Sequence, residues 1–96
     1  MKRIFFVEDD ISLVRGMSFA IKKQGYEVDI ARTATEASEM WGLKSYDLVI
    51  LDVSLPDGTG YDICRKIRET SKVPIVFLTA ADEEMDIIMG LSLIHI

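Results

Sequence analysis

The stretch Tyr46–Gly60 constrains the fold of this chain more than any other. It contains an unbroken apolar run, Leu48–Leu51, which is rich in β-branched residues and too short for a lone helix. Such a run is typical of a strand buried on both faces of a parallel sheet. Asp52 stands where the run ends, Pro56–Gly58 predicts a turn, and Thr59 is suited to cap a following helix. A carboxylate is therefore predicted at the carboxyl end of a central strand, the edge where open α/β sheets bind ligands.

The rest of the chain alternates short apolar strands with amphipathic helices. Strands are predicted at Ile4–Val7, Glu27–Ala31, Leu48–Leu51 and Ile75–Leu78. Helices are predicted over Ile11–Gln24, from Thr33 to about Leu43, over Tyr61–Glu69, and from an Asp82 cap to about Leu91. Such alternation implies parallel strands joined by right-handed crossovers, with helices on both faces of the sheet. We therefore expect an α/β fold with a doubly wound parallel sheet.

Composition narrows the class of protein. The 96 residues suffice for one domain and not for two. The net charge of −5 argues against direct nucleic-acid binding, because phosphate contacts need a basic patch. No apolar stretch is long enough to span a membrane, and the N-terminus lacks the features of a signal peptide. The single cysteine, Cys64, suits a reducing compartment, so we expect a cytoplasmic protein.

Polar residues follow three of the predicted strands. Glu8 and Asp9 follow the first strand, Asp52 the third and Thr79 the fourth. The carboxyl ends of parallel strands share one edge, so these carboxylates should repel one another by about 4 kcal/mol per pair at about 4 Å and an effective dielectric constant of about 20. A proton held at raised pKa or a bound cation would offset this repulsion, and Mg²⁺ suits such oxygen ligands. The alternative is ordinary surface carboxylates, and for Asp10 we prefer the role of a helix cap.

A carboxylate at such an edge can also act as a nucleophile. Attack of Asp52 on a phosphoryl group would give an aspartyl phosphate, with Mg²⁺ neutralising charge on the transferring group. The hydroxyl of Thr79 is a suitable donor to a phosphoryl oxygen. Magnesium-dependent phosphohydrolases use the same kind of nucleophile but want a second aspartate two residues later. That position is Ser54, which counts strongly against a phosphohydrolase.

Four segments together resemble the receiver domain of two-component response regulators. They are FFVEDD (Phe5–Asp10), GYEV (Gly25–Val28), DLVILDVSLPDGTGYDICRKIR (Asp47–Arg68) and VPIVFLTA (Val73–Ala80). The residues of these segments are most similar to those of regulators that carry a winged-helix DNA-binding domain after the receiver. The resemblance implies a flavodoxin-like (CheY-like) sheet with strand order 2-1-3-4 in this chain and a fifth strand in the complete family.

The resemblance also assigns roles to individual residues. Asp52 matches the phosphoacceptor, and Glu8 and Asp9 match the acidic pair, with Asp9 the direct Mg²⁺ ligand and Glu8 acting through water. Ser54 matches the position whose main-chain carbonyl binds the metal, and Thr79 matches the switch hydroxyl. These roles imply a phosphorylation-dependent signalling switch rather than an enzyme, supplied with its phosphoryl group by a sensor histidine kinase.

The end of the chain departs from the family. There the family continues into a fifth strand with a Lys-Pro end and a fifth helix, whereas Ser92–Ile96 does not resemble it. We therefore expect an incomplete receiver domain over residues 1–91, a tail over residues 92–96, and no effector domain in this chain. The alternative function is a non-signalling fragment or interaction module that binds Mg²⁺ but cannot complete the switch without the family lysine.

A missing fifth strand would leave the edge of the fourth strand, Ile75–Leu78, unpaired. An apolar edge of this kind is a template for another chain. We therefore expect a homodimer that closes over this edge, or an exchange of the last helix between chains. A substitute strand formed by Leu93–Ile96 ranks last, because the segment is short.

Overall fold

Five strands form the main sheet in the computed structural model, which describes residues 2–80 and 91–95, with only the backbone described at 79–80 and 91–95. The elements are β1 (Arg3–Val7), α1 (Ile11–Lys23), β2 (Glu27–Ala31), α2 (Ala34–Met40), β3 (Leu48–Asp52), β4 (Ser54–Leu55), β5 (Gly58–Thr59), α3 (Gly60–Arg68), β6 (Ile75–Ala80) and β7 (Leu91–His95). The order across the sheet is β2-β1-β3-β6-β7, and the first four strands are parallel. The predicted parallel sheet and its order 2-1-3-4 are confirmed.

Alternate residues of the central strands enter two separate cores. On one face, Phe5, Val49 and Leu51 are fully buried in the core that also holds Ile63 and Ile67 of α3. On the other face, residues of β1, β3 and β6 pack against the apolar stripe of α1. This second core comprises Ile4, Phe6, Ile50 and Leu78, with Leu13, Val14, Met17 and Ile21 from α1. Burial on both faces explains why β1 and β3 read as unbroken apolar runs.

The second helix is shorter than the sequence predicts. It ends at Met40, not near Leu43, because Trp41 already has an extended backbone (ψ 131°). The Trp41 ring turns back to stack on Tyr46, with ring centroids 5.8 Å apart, and Gly42 follows at φ +99°. Packing of a large aromatic ring thus overrides the local helical pattern.

The outer edge of β6 is paired within the chain, so the prediction of an unpaired edge is wrong. β7 runs antiparallel to β6, with Leu93 opposite Leu78. An edge strand offers unpaired N–H and C=O groups to any extended segment nearby. Here β7, from the end of the chain, pairs with that edge, which is the outcome that the sequence analysis ranked last. Because this edge of β6 is already paired with β7, it gives no reason to expect a homodimer that closes directly over β6. The helix predicted from Asp82 falls on residues 81–90, outside the described residues, and Leu91 lies in β7.

A two-stranded hairpin, β4–β5, joins β3 to α3 and contains the predicted turn at Pro56–Gly58. At its end Thr59 caps α3 by accepting a hydrogen bond from the Asp62 amide at 3.3 Å, as predicted. Gly60 comes so close to β3 that a Cβ atom there would overlap the carbonyl oxygen of Asp52. It would also lie 3.1 Å from the ring of Phe77. This close approach of backbone to backbone requires glycine.

We expect the substitution Gly60→Ala to lower the free energy of unfolding by about 1–3 kcal/mol, the usual cost of overpacking. Gly16→Ala is the matched control, because a Cβ at this α1 position meets nothing within 4 Å. The control should be stabilising by about 0.5–1 kcal/mol, since alanine is the better helix former. Urea unfolding of the two variants measures both effects. Equal stability of the two variants would show that the contact at Gly60 is not tight.

Candidate functional site

Three carboxylates converge at the carboxyl edge of the sheet. Glu8 and Asp9 directly follow β1, and Asp52 is the last residue of β3. The register of the two strands, with Val7 opposite Leu51, brings these residues together. One oxygen from each carboxylate lies within 4.8 Å of the others. The sequence prediction that they share one edge is confirmed.

Glu8 is the most buried member of this acidic cluster (Glu8, Asp9 and Asp52), with only 3% of its surface exposed. Its Oε2 accepts a hydrogen bond from the Asp10 amide at 3.0 Å, and its carboxyl group is also hydrogen-bonded to Asp52. Burial, assisted by the charge of Asp52, raises the pKa of Glu8 from its ordinary 4.5 to about 7. Glu8 therefore holds a proton well above the pH at which an exposed glutamate loses it.

Asp52 is half-buried at the end of its strand, and burial raises its pKa above the ordinary value. The hydrogen bond from Glu8 opposes this shift, as do hydrogen bonds from the amides of Ser54 and Val53, while the charge of Asp9 adds to it. Below about pH 7 the pair Glu8 and Asp52 therefore holds a proton when no cation is bound. Replacing that proton by a cation would allow both groups to ionise.

The acidic cluster opens into a cleft of about 680 Å³. Its lining is Glu8, Asp9, Asp10, Leu13, Asp52, Val53, Ser54, Leu55, Pro56 and Leu78. Among these described lining residues, none carries a positive charge. Asp9 and Asp52 are partly exposed to the cleft, so their oxygens are accessible. This set of hard oxygen ligands fits Mg²⁺, which binds one or two carboxylates and retains several waters.

The remaining predicted residues lie around this cleft. Asp10 caps α1, as predicted, because its Oδ1 accepts a hydrogen bond from the Leu13 amide at 3.1 Å. The backbone of Thr79 lies in β6 immediately after Leu78, which is opposite Asp52 in the register. The side chain of Thr79 lies outside the described part of the chain.

Sequence reasoning missed one positively charged side chain beside the site, that of Arg32. Arg32 directly follows β2, and its Nη2 donates a hydrogen bond to the main-chain carbonyl of Asp9 at 3.3 Å. This contact braces the loop between β1 and α1, which carries two of the three carboxylates. An exposed arginine after a strand gives no signal in the sequence, because its partner is a main-chain atom 23 residues away.

Fold and site together define the class of protein: a CheY-like α/β domain with an acidic cluster at the carboxyl edge of its sheet. Residues 4–93 match the family described as the response regulator receiver domain. The chain belongs to this family. Receiver domains are signalling switches.

Individual relatives and solved structures agree with this assignment. The uncharacterized transcriptional regulatory protein YclJ of Bacillus subtilis (strain 168) is 38% identical over 91 residues, covering 95% of this chain and 40% of that protein. This chain therefore spans about two fifths of that relative's length. Response regulator protein TrrA from Thermotoga maritima, in complex with Mg²⁺-BeF, has a TM-score of 0.78 and 36% identity, covering 83% of this chain and 70% of that chain. The complex of histidine kinase ThkA with TrrA gives a TM-score of 0.78 and 31% identity, covering 92% of this chain and 77% of the matched chain.

Without divalent cations, the folded chain should lose stability as the pH rises through neutrality. Glu8 has a folded-state pKa of about 7 against an ordinary 4.5, so folding favours its protonated form. The stability it contributes is fully present below about pH 4.5 and is lost as the pH passes about 7. We expect the melting temperature in chelator to fall between about pH 5 and about pH 8. Added Mg²⁺ should restore it at the upper end, because a bound cation offsets the buried negative charge that remains after Glu8 loses its proton.

The control for this prediction is Glu8→Gln, which keeps the size of the side chain and cannot titrate. Its melting temperature should vary less with pH over the same interval. A profile for Glu8→Gln as steep as that of the unmodified chain would show that Glu8 is not the group responsible.

Proposed function

We propose that this chain is a phosphorylation-controlled switch in which Asp52 accepts a phosphoryl group from a sensor histidine kinase. The observation that carries the proposal is the position of Asp52, with its carboxylate in an open cleft and the oxygens of Glu8 and Asp9 within 4.8 Å. Such a placement leaves the nucleophile accessible to a large donor. The solved complex of ThkA with TrrA supports a histidine kinase as the partner.

The proposed reaction transfers the phosphoryl group from a phosphohistidine to Asp52. A carboxylate oxygen of Asp52 attacks phosphorus, a P–O bond forms, and the P–N bond to the kinase histidine breaks. The histidine leaves as neutral imidazole once its nitrogen has taken up a proton. The product on this chain is an aspartyl phosphate. Asp52 must be ionised to attack, so the proton it shares with Glu8 must first leave the pair.

The ligands proposed for Mg²⁺ are the carboxylates of Asp9 and Asp52 and the main-chain carbonyl of Ser54, with Glu8 acting through water. When bound, the ion would neutralise charge on the transferring phosphoryl group and on the acidic cluster. Three close carboxylates without a described cation among the lining residues support this assignment, because their mutual repulsion needs a partner.

The proposed output depends on Thr79 and on parts of the protein beyond this domain. Two observations support a role for Thr79. Its backbone directly follows Leu78, which is opposite Asp52 in the sheet, and it matches the switch hydroxyl of the family. Its hydroxyl would contact the phosphoryl group and bias a two-state loop-and-helix element. The name of the relative YclJ supports transcription regulation as the role of the whole protein. We propose the cytoplasm as the place where it acts. No described helix could cross a membrane.

We expect a small phosphodonor such as acetyl phosphate to label Asp52 and no other carboxylate. Asp52→Asn should abolish labelling, because the amide cannot form the acyl phosphate. Asp62→Asn is the matched control, since it removes an exposed carboxylate from α3 and should leave labelling unchanged. Mass spectrometry of borohydride-trapped protein locates the phosphate. A label on Asp57 or Asp62 would contradict the proposal.

Asp52→Asn should also weaken Mg²⁺ binding, by about tenfold or more, on the scale known for damage to metal sites. Calorimetry or NMR shifts measure the affinity. The control is Glu39→Gln, which removes an exposed carboxylate from α2 and the same amount of charge. Unchanged Mg²⁺ affinity in Asp52→Asn would mean that the site is wrongly assigned.

A further inference from the structure

The tip of the β4–β5 hairpin is tied to the start of α2 by a single side chain. The carboxylate of Asp57 accepts hydrogen bonds from the amide of Ala34 at 2.6 Å, the amide of Thr35 at 3.0 Å and the hydroxyl of Thr35 at 2.7 Å. These two segments are more than 20 residues apart in the sequence. Asp57 therefore joins two elements that share no strand pairing.

Two further observations show that this contact is specific. Next to Asp57, Gly58 lies so close to α2 that a Cβ there would be 3.2 Å from the Cβ of Ala34. The hydrogen bonds from Thr35 and Ala34 hold the pKa of Asp57 below its ordinary value, although the side chain is fully exposed. The charged carboxylate is thus the form that binds α2.

The other end of the hairpin is fixed to α3. The amide of Gly60 donates to the carbonyl of Val53 at 2.9 Å, and Ser54 is opposite Thr59 in the hairpin. The short segment between these two anchors carries Ser54 and Pro56, both of which line the cleft. Any tilt of the hairpin at its tip would therefore move the Ser54 carbonyl relative to Asp52.

We propose that Asp57 is a positioning residue, which fixes the hairpin on α2 so that the Ser54 carbonyl and the Asp52 carboxylate are held in register for a divalent cation. The inference rests on the proposed function, because it assumes the cation site at Asp9, Asp52 and Ser54. Asp57 itself touches neither the cation nor the phosphoryl group. Its effect reaches the site through two residues of hairpin backbone.

The test compares Mg²⁺ binding and acetyl phosphate labelling in Asp57→Asn and in the unmodified chain. An amide in place of the carboxylate cannot accept all three hydrogen bonds, because one oxygen becomes a donor. We expect Mg²⁺ affinity to fall about tenfold, the lower end of the range for groups outside the ligand shell. Labelling at low Mg²⁺ should slow by a similar factor and recover at saturating Mg²⁺. A merely structural role would lower stability without this recovery.

Glu39→Gln controls for the lost charge and should keep its Mg²⁺ affinity within about twofold of the unmodified chain. If Asp57→Asn fails to fold, Thr35→Val takes its place. It removes the hydroxyl donor to Asp57 and leaves the amide donors of Ala34 and Thr35, so we expect a smaller loss of Mg²⁺ affinity. Mg²⁺ affinity that is unchanged in Asp57→Asn, or in Thr35→Val when that variant takes its place, would overturn the positioning role alone. No Mg²⁺ binding by the unmodified chain would overturn the proposed cation site, and the positioning role with it.

Discussion

The parallel pairing of β1 with β3, which brings Glu8, Asp9 and Asp52 together despite their mutual repulsion, is the constraint on which the site depends. Parallel pairing of β1 with β3 forces these carboxylates to one edge, and burial of Glu8 and Asp52 makes their charges costly. Burial raises the pKa of Glu8 to about 7, so below that pH, in the absence of a cation, a proton on Glu8 reduces the cost. A site that must hold either a proton or a cation is well suited to chemistry on phosphoryl groups, whose own charge also needs neutralising.

The backbone around Asp52 is held by contacts beyond the strand pairing of β3. Gly60 packs directly against the Asp52 carbonyl and bonds to Val53, so α3 begins in contact with the end of β3. The hairpin between them is fixed at its tip through Asp57. Rigid support of this kind matters because ligand groups must be held to within a fraction of an ångström to be effective. In this account Asp52 and Ser54 bind the cation, whereas Asp57 only holds the hairpin in place.

Sequence reasoning predicted what depends on strand ends and missed what depends on packing between distant segments. The parallel sheet and the meeting of Glu8 with Asp52 followed from runs of apolar residues, because parallel strands end at a common edge. The order of the strands followed from the resemblance to receiver domains. The proton shared by that pair, and the bonds of Asp57 to α2, depend on the distance between segments that the sequence does not give. Likewise α2 ended early because the Trp41 ring packs on Tyr46, and β7 paired with β6 through main-chain groups that carry no side-chain signal.

The central claim is that these three carboxylates form one cation site, and paramagnetic NMR with Mn²⁺ in place of Mg²⁺ tests it most directly. Mn²⁺ accepts the same oxygen ligands and broadens the signals of nearby nuclei. We predict that substoichiometric Mn²⁺ broadens the amides of Asp9, Asp52 and Ser54 first, and that excess Mg²⁺ reverses the effect. Broadening centred on exposed carboxylates elsewhere, such as Glu39 or Asp62, or spread evenly over the acidic surface, would contradict the claim.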